Sequence, residues 1–462
     1  MADLMGSMSI ALGALKNNQE ALDVTTNNIA NLNTPGYSRQ RVNFSEGDPL
    51  QYGTLQFGSG AKVDNVQSIR DQVLEFRINT ESGQQSSLDS YLQPMQQVQA
   101  GFNEASGNGL QSAISGFFNS VTQLSTNPSN IPARQNVITA AQGLSQSFNN
   151  AATNLATLST SQDRQVPTVV QQINTLAQNI AQLNLRIGQF QSAGQNPGIL
   201  EDQRSVLINK LSSLINVTMV DSGGGTVSIS TAMGAALVVG GQDFALKTST
   251  NAQGQQNVLA SDGTNLTSAI DAGQLGGILR VRDQAIPALQ TKLDTLANGI
   301  ATAVNAVHLS GTDLNGNPGV NLFTIPGTVA GSATNIRVNI TDPKLIAASQ
   351  SGVGAAVGDN TNALALANLQ GQNIVNGETP VDYYANTVSQ LGSDIQLATT
   401  QRDTQAAVVG QLQTQRNSVS GVSMDEEAAN LVRFQRAYQA AARVINTIDQ
   451  MTQVAINLGT GA

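Results

Sequence analysis

The sequence predicts an α+β multidomain protein in which long, heptad-patterned terminal and mid-chain helices form a helical bundle, with β-rich domains inserted between them. Two observations carry this expectation. Five stretches repeat apolar residues in alternating steps of three and four, which lines one side of a helix. Two intervening regions break instead into short β-prone runs cut by glycine. At 462 residues the chain is several times the size of one typical core, so these elements belong to more than one domain.

Residues 1–60 read as an N-terminal helix and its following loop, paired with 421–462. The helix seam is Leu4, Met8, Ala11, Leu15, Asn18, Leu22, Thr25, Ile29 and Leu32. Pro35 ends it, because the residue before proline leaves helical space and proline offers no amide donor, while Gly36 permits the turn. Residues 61–205 form the first part of a helical bundle domain, with breaks at 107–109 and 127–132. Its clearest seam is Val169, Ile173, Leu176, Ile180, Leu183, Ile187 and Phe190. Residues 206–282 read as a β-rich domain with runs at 226–229, 237–239 and 244–246.

Residues 283–310 return to the bundle on the seam Ile286, Leu289, Leu293, Leu296, Ile300, Ala303 and Val307. A second β-rich segment covers 311–360, its clearest strand at 335–340. Residues 361–420 complete the bundle with Tyr384, Val388, Leu391, Ile395 and Ala398, and 421–462 is a C-terminal helix. The last seam is Leu431, Phe434, Tyr438, Ala441, Ile445, Ile448, Thr452 and Ala455. Ser423 and Glu426 have capping-box spacing, and Asp425, Glu426 and Glu427 place carboxylates in the positive first turn. Both terminal seams are interrupted by polar residues and narrowed by alanine, so these helices await partners. Periodicity leaves open whether they pair within one chain or between chains.

Composition removes several classes of function. A net charge of −9 and a pI near 4.6 lack the basic footprint that nucleic acid or an anionic membrane requires. No run of about 18 apolar residues occurs, so membrane insertion is not expected. The chain has no cysteine and one histidine, His308, which leaves neither a thiolate nor a multi-histidine metal site. His308 itself reads as a packing or capping residue. Asp313, Asn315 and Asn317 alternate as in a calcium loop, but Pro318 and Thr324 stand where that loop needs glycine and glutamate, leaving a plain turn. Gly352, Gly354 and Gly358 lack dinucleotide spacing. Capping and the helix dipole account for Asp425, Glu426 and Glu427 without an acid–base or metal role. No catalytic, cofactor or metal site is expected, and the chain reads as a non-enzyme.

Only 11% of residues are charged against 40% hydrophobic, a balance that favours a component packed among copies of itself, since unpaired buried charges are costly. The N-terminus lacks the basic-then-apolar order of a secretory signal, which by itself points to the cytoplasm. Tyr37 and Arg39, after the helix break, either anchor a neighbouring subunit or tie the loop locally.

The segment Ala30, Asn31, Leu32, Asn33, Thr34, Pro35, Gly36, Tyr37, closing a helix that contains Asn27, Asn28 and Ile29, resembles the N-terminal signature of the axial proteins of the bacterial flagellum, its rod, hook and hook-associated proteins. The stretch from Ser420 through Gly421, Asp425, Glu426 and Glu427 to Leu431, continuing from Phe434 to Ile445, resembles the hook-associated branch that stands between hook and filament. The resemblance implies a structural adaptor, a short helical zone joining those two polymers. It implies an axial assembly seam of Leu15, Leu22, Ile29, Leu32, Leu431, Phe434, Tyr438, Ile445 and Ile448. The signature residues it singles out are Asn31, Thr34, Pro35, Gly36, Tyr37, Gly421, Asp425, Glu426 and Glu427.

Implied partners are further copies in a helical ring, hook protein, the next hook-associated protein on the filament side, and a cytosolic export chaperone that would contact Leu431, Phe434, Tyr438 and Ile445. The resemblance replaces the cytoplasmic expectation with an extracellular one, export through the flagellar type III apparatus without a cleaved signal. The alternatives are another axial protein, a rod or hook subunit, or a secreted adhesin or enzyme with helical tails.

Overall fold

The computed structural model describes residues 2–52, 55–102, 109–350 and 358–460. Helix α1 (Ala2–Ala30) leads through a tight turn into β1 (Gln40–Glu46), which pairs antiparallel with β4 (Ala61–Ser68) around a smaller hairpin of β2 (Leu50–Tyr52) and β3 (Leu55–Phe57). A hairpin thus crosses the boundary that the sequence places at residue 60 between loop and bundle. The pairing sets Val42 opposite Val66 and joins the side chains of Asn43 and Asn65, cross-strand pairs of the kind that stabilise a two-stranded ribbon. Asn17 of α1 donates to the Ala61 carbonyl, which holds the ribbon against the helix.

Helix α2 (Gln72–Gly101) starts at Asp71, whose carboxylate accepts the Leu74 amide at 3.0 Å. Helix α3 (Leu110–Thr126) and helix α4 (Ile131–Ser192) are separated by the expected break after 127, with Asn130 capping α4. Most of the other expected break, 107–109, lies outside the described residues, as do Gly352 and Gly354. With 62 residues, α4 is about 90 Å long. Helix α5 (Gly198–Leu214) then runs through residue 206, where the sequence opens a β-rich domain. Ile208 and Leu211 sit at helical spacing and are buried on the second half of α4, so helix continues there.

The β region begins later, as a four-stranded antiparallel meander of β5 (Val217–Gly223), β6 (Thr226–Thr231), β7 (Ala236–Val239) and β8 (Gln242–Asp243), followed by a hairpin of β9 (Lys247–Thr250) and β10 (Gln256–Leu259). The run at 244–246 is not a strand. Both backbone groups of Leu246 are taken by the side-chain amide of Asn174 on α4, which removes them from any ladder. Helix resumes at α6 (Gly273–Arg280), ahead of the expected 283, and continues through one π-helical turn into α7 (Ile286–Leu309). A Cβ at Gly277 would collide with the backbone of Ser87, so α6 lies against α2 only because that position is glycine.

From 311 to 350 regular structure is sparse. Strands β11 (Gly311–Thr312) and β12 (Phe323–Thr324), the one-turn α8 (Ser332–Asn335), β13 (Arg337–Val338) and β14 (Ser349–Gln350) are short, and the expected strand at 335–340 is reduced to β13. Helix-borne side chains hold this segment instead. Asn305 exchanges two hydrogen bonds with Phe323, Asn149 donates to the carbonyls of Ala333 and Thr334, and buried Arg134 donates to those of Pro128 and Ile346. Helix α9 (Thr361–Asn368), helix α10 (Pro380–Ser420) and helix α11 (Met424–Thr460) complete the chain.

One large apolar core joins α2, α3, the first half of α4, α7, α9 and α10 around Phe117, Phe118, Phe148 and Phe323. A second joins the later half of α4 to α5, α6 and the β strands around Ile173, Ile180, Leu211 and Ile229. Residues of α1 and α11 enter neither core, so the termini form a separate layer.

Candidate assembly interface at the paired termini

Helices α1 and α11 run along one another within the chain. They are antiparallel, because Asn28 near the end of α1 meets Glu427 in the first turn of α11. Along α11 from Ala428 to Leu458, the shielded positions are the seam residues Leu431, Phe434, Tyr438, Ala441, Ile445, Ile448, Thr452 and Ala455, joined by Asn430, Ala437 and Ala442. On α1 the seam residues Leu15, Leu22 and Ile29 are half-buried as well, as is Leu32 in the turn that follows the helix. Of the two arrangements periodicity permits, the pairing present is the intramolecular one.

A second set of apolar residues points away from this seam. Met5 and Leu12 of α1 are 69% and 50% exposed, and Val444, Met451, Val454 and Leu458 of α11 are 49 to 76% exposed. Met5 with Leu12, and Val444, Met451 and Leu458, repeat every seven residues, which places each set on one stripe of its helix. Antiparallel pairing gathers them at the end remote from Asn28.

At the opposite end a polar knot closes the pair. The Asn28 carboxamide is fully used: its oxygen accepts from the Tyr37 hydroxyl at 2.8 Å and the Gln40 amide at 2.9 Å, and its nitrogen donates to the Gln40 carbonyl and to Glu427. Glu427 is 1% exposed and its other oxygen accepts from Arg39 Nε at 2.7 Å; Arg39 also reaches Glu426 at 2.6 Å. The carboxylates that head α11 thus hold an arginine from the signature turn. The backbone joins in, as the Arg39 amide donates to Ser420 and the Ile69 amide to Arg39. Asp202 of α5 accepts the Ser38 amide and a 2.7 Å bond from Arg70, and Arg416 of α10 donates to the carbonyls of Gly36 and Tyr37. The knot therefore ties the terminal pair to the body.

Burial, with the Asp202 and Glu427 carboxylates close by, pushes the Tyr37 hydroxyl up to about 12. It stays protonated and donates to Asn28. Burial also raises Asp202, against the pull of Arg70.

The other signature residues have local parts. Asn31 donates to Asn27 and accepts from Thr34, which tightens the helix end, and Pro35 is exposed. Gly36 has φ +81°, and a Cβ there would fall inside the Val206 side chain. Gly421 is extended, and a Cβ would meet the Asn417 carbonyl, so no side chain fits where α10 turns into α11. Asp425 is exposed. Within the chain Tyr37 is tied locally to Asn28, whereas Arg39 bridges to Glu426 and Glu427 at the far end of the sequence. Asn28, Arg70, Asp202 and Arg416 are members that the sequence reading does not place in the site. Asn28 is signalled by an amide next to the seam, but the others lie too far along the chain for any spacing to point to them.

Nothing in this arrangement pairs a nucleophile with a base. Among the described residues no group of His, Cys, Asp and Glu could hold a metal ion, and no helix is long and apolar enough to cross a membrane. His308 is fully buried, with Nδ1 bonded to the Val320 carbonyl at 2.5 Å and Nε2 accepting the Ala347 amide at 2.9 Å; burial lowers it to about 4. Asp313 takes the amides of Asn315 and Asn317 on one oxygen, an ordinary turn.

Comparison with known proteins places these features in a family context. Residues 95–323 match the family described as flagellar hook-associated protein FlgK helical domain. Residues 8–37 match flagella basal body rod protein and 413–458 match flagellar basal body rod FlgEFG protein C-terminal, so the termini are of a type shared with rod proteins. The chain is 30% identical to flagellar hook-associated protein 1 of Bacillus subtilis over 100% of both chains. It is 29% identical to the Escherichia coli protein of that name, over 97% of this chain and 98% of that one. The fold is similar to that of the flagellar hook junction protein FlgK from Burkholderia pseudomallei, with a TM-score of 0.67 at 20% identity, over 74% of this chain and 100% of that one.

Proposed function

This chain belongs to the flagellar hook-associated protein 1 family, and we infer that it is the structural adaptor of the flagellum that joins the hook to the filament. The observation that carries this reading is the end-to-end match to relatives of that name, which covers the rod-type termini and the body alike. A rod or hook subunit would account for the termini alone.

The mechanism is geometric. The terminal pair is the segment that stacks axially: its seam is partly covered within the chain, and the outward residues Met5, Leu12, Val444, Met451 and Leu458 offer the more exposed apolar surface for contact with neighbouring subunits. Burying that stripe between subunits removes apolar surface from water at about 25 cal/mol per Å². The knot around Asn28 fixes how this pair leaves the body, which transmits the axial packing outward. Copies arranged in a short helical ring would meet hook protein on one side and the next hook-associated protein on the other. Before assembly the chain would pass unfolded through the flagellar type III apparatus to the cell exterior. A cytosolic chaperone on Leu431, Phe434, Tyr438 and Ile445 would cover the seam that α1 covers in the folded chain, so chaperone and α1 exclude one another.

Deletion of the gene, with electron microscopy of the cells and assay of the medium for filament subunit, tests the reading. Hooks that lack filaments, with subunit released into the medium, are expected. Loss of the hook would place the chain in the rod or hook, and normal filaments would refute the adaptor role.

A further inference from the structure

From Glu104 to Asp163 the sequence contains one other charged residue, Arg134, and it is 1% exposed with its guanidinium on backbone carbonyls. At the chain average of 11% charged, a stretch of this length would carry about six. The stretch supplies α3 and the first half of α4, whose outward positions include Ser112, Gly116, Asn119, Gln142, Gly143 and Gln146, all exposed. Solvated surfaces ordinarily mix both signs of charge, whereas the centres of protein interfaces are depleted of charge.

Two further features lie on these helices. Gly116 and Gly143 stand in helix interiors with nothing within 4 Å of the place where a Cβ would be, so neither a positive φ nor packing in this chain requires glycine, although glycine costs helix stability relative to alanine. Farther along α4 a groove of about 370 Å³ opens between α4 and the end of α2, lined without charge by residues that include Gln97, Phe102, Asn154, Leu155 and Leu158.

Resting on the adaptor reading, we propose that this uncharged face of α3 and α4 is the lateral docking surface for a second copy of the chain. Electrostatics selects the occupant. Copies carrying −9 repel one another wherever carboxylates meet, so they approach best on a face from which charge has been removed, while a basic partner would be matched by acidic residues. The size fits as well. Two helical strips, about 26 and 48 Å long and about 10 Å wide, offer on the order of 700 Å², close to the roughly 800 Å² per partner of a standard interface. The groove would receive a side chain of the neighbour.

The absence of native cysteine makes a direct test possible. Gln142→Cys, labelled with a maleimide benzophenone and irradiated in flagella shorn from cells that carry it in place of the natural chain, should give a band of twice 48.0 kDa containing peptides of this chain alone. Adding Gly143→Glu should abolish that band. A control variant, Met451→Cys, reports on the axial contact independently. If the Gln142→Cys chain cross-links only to a different protein, or does not cross-link where the control does, the lateral face is overturned and the adaptor reading stands. Absence of the chain from the shorn flagella would overturn both.

Discussion

Asn28 of α1 and Glu427 of α11 are joined by a 3.1 Å hydrogen bond between side chains separated by 399 positions in sequence. The bond closes the terminal pair at its base, and it is inaccessible to solvent at both ends, with Asn28 and Glu427 each 1% exposed. A buried amide with all its donors and acceptors used is costly to alter, because every partner it loses is left unsatisfied.

Asn28→Asp should therefore release the terminal helices. The new carboxylate would lose its donor to Glu427 and face that residue as a like charge. Hydrogen exchange across α1 and α11 should rise strongly while exchange in α4 and α7, which belong to separate cores, stays unchanged. The loss in stability of the terminal layer is expected at about 1–3 kcal/mol.

Arg39→Ala and Glu427→Ala should couple. Removing Arg39 leaves a buried carboxylate with less compensation, whereas removing both leaves none, so a double-mutant cycle by denaturant unfolding should give an interaction energy between about 0.5 and 3 kcal/mol. Additive single effects would show that the pair contributes nothing to the knot.

Gly36→Ala combines two penalties, a left-handed backbone and a collision with Val206. In Val206→Ala the collision is relieved but the φ cost of about 1–2 kcal/mol remains, so thermal melting of Gly36→Ala should be partly, not wholly, restored in that background.

Acid should weaken the body through His308. Its folded value is about 4 against about 6.5 unfolded, so below about pH 6.5 the unfolded chain binds a proton that the native chain does not. Stability from this group is present above that range and lost as pH falls towards 4, to a total of about 3 kcal/mol. His308→Gln should be less stable at pH 7 and show a flatter dependence between pH 6.5 and 4 in urea titrations.

The helical parts of this fold are legible because one period governs each of them. The seams from Val169 to Ile187 and from Leu431 to Ala455 appear as shielded positions along their helices, whereas Phe190, which the sequence reading includes in the first seam, is 38% exposed in the last turn of α4. Strand placement is less legible where side chains from distant helices take over backbone bonds, as Asn174 does at Leu246 and Asn305 at Phe323. Gly36 and Pro35 announce the turn before β1, since backbone conformation is a local property. Asp202 and Arg416 announce nothing, because their roles depend on α5 and α10 arriving beside the turn. Carboxylates 425–427 fit the dipole of α11, yet that local explanation hides the arginine that two of them bind.

If the outward stripe of the terminal pair joins this chain to its axial neighbours, charge placed on that stripe should block assembly without unfolding the chain. Val444→Glu with Met451→Glu tests it most directly, since both side chains are about half exposed and lie off the internal seam. Helix content and hydrogen exchange of the purified chain should match the natural protein, while cells carrying it should show hooks without filaments and filament subunit in the medium. Filaments of normal length and number on such cells would contradict the account.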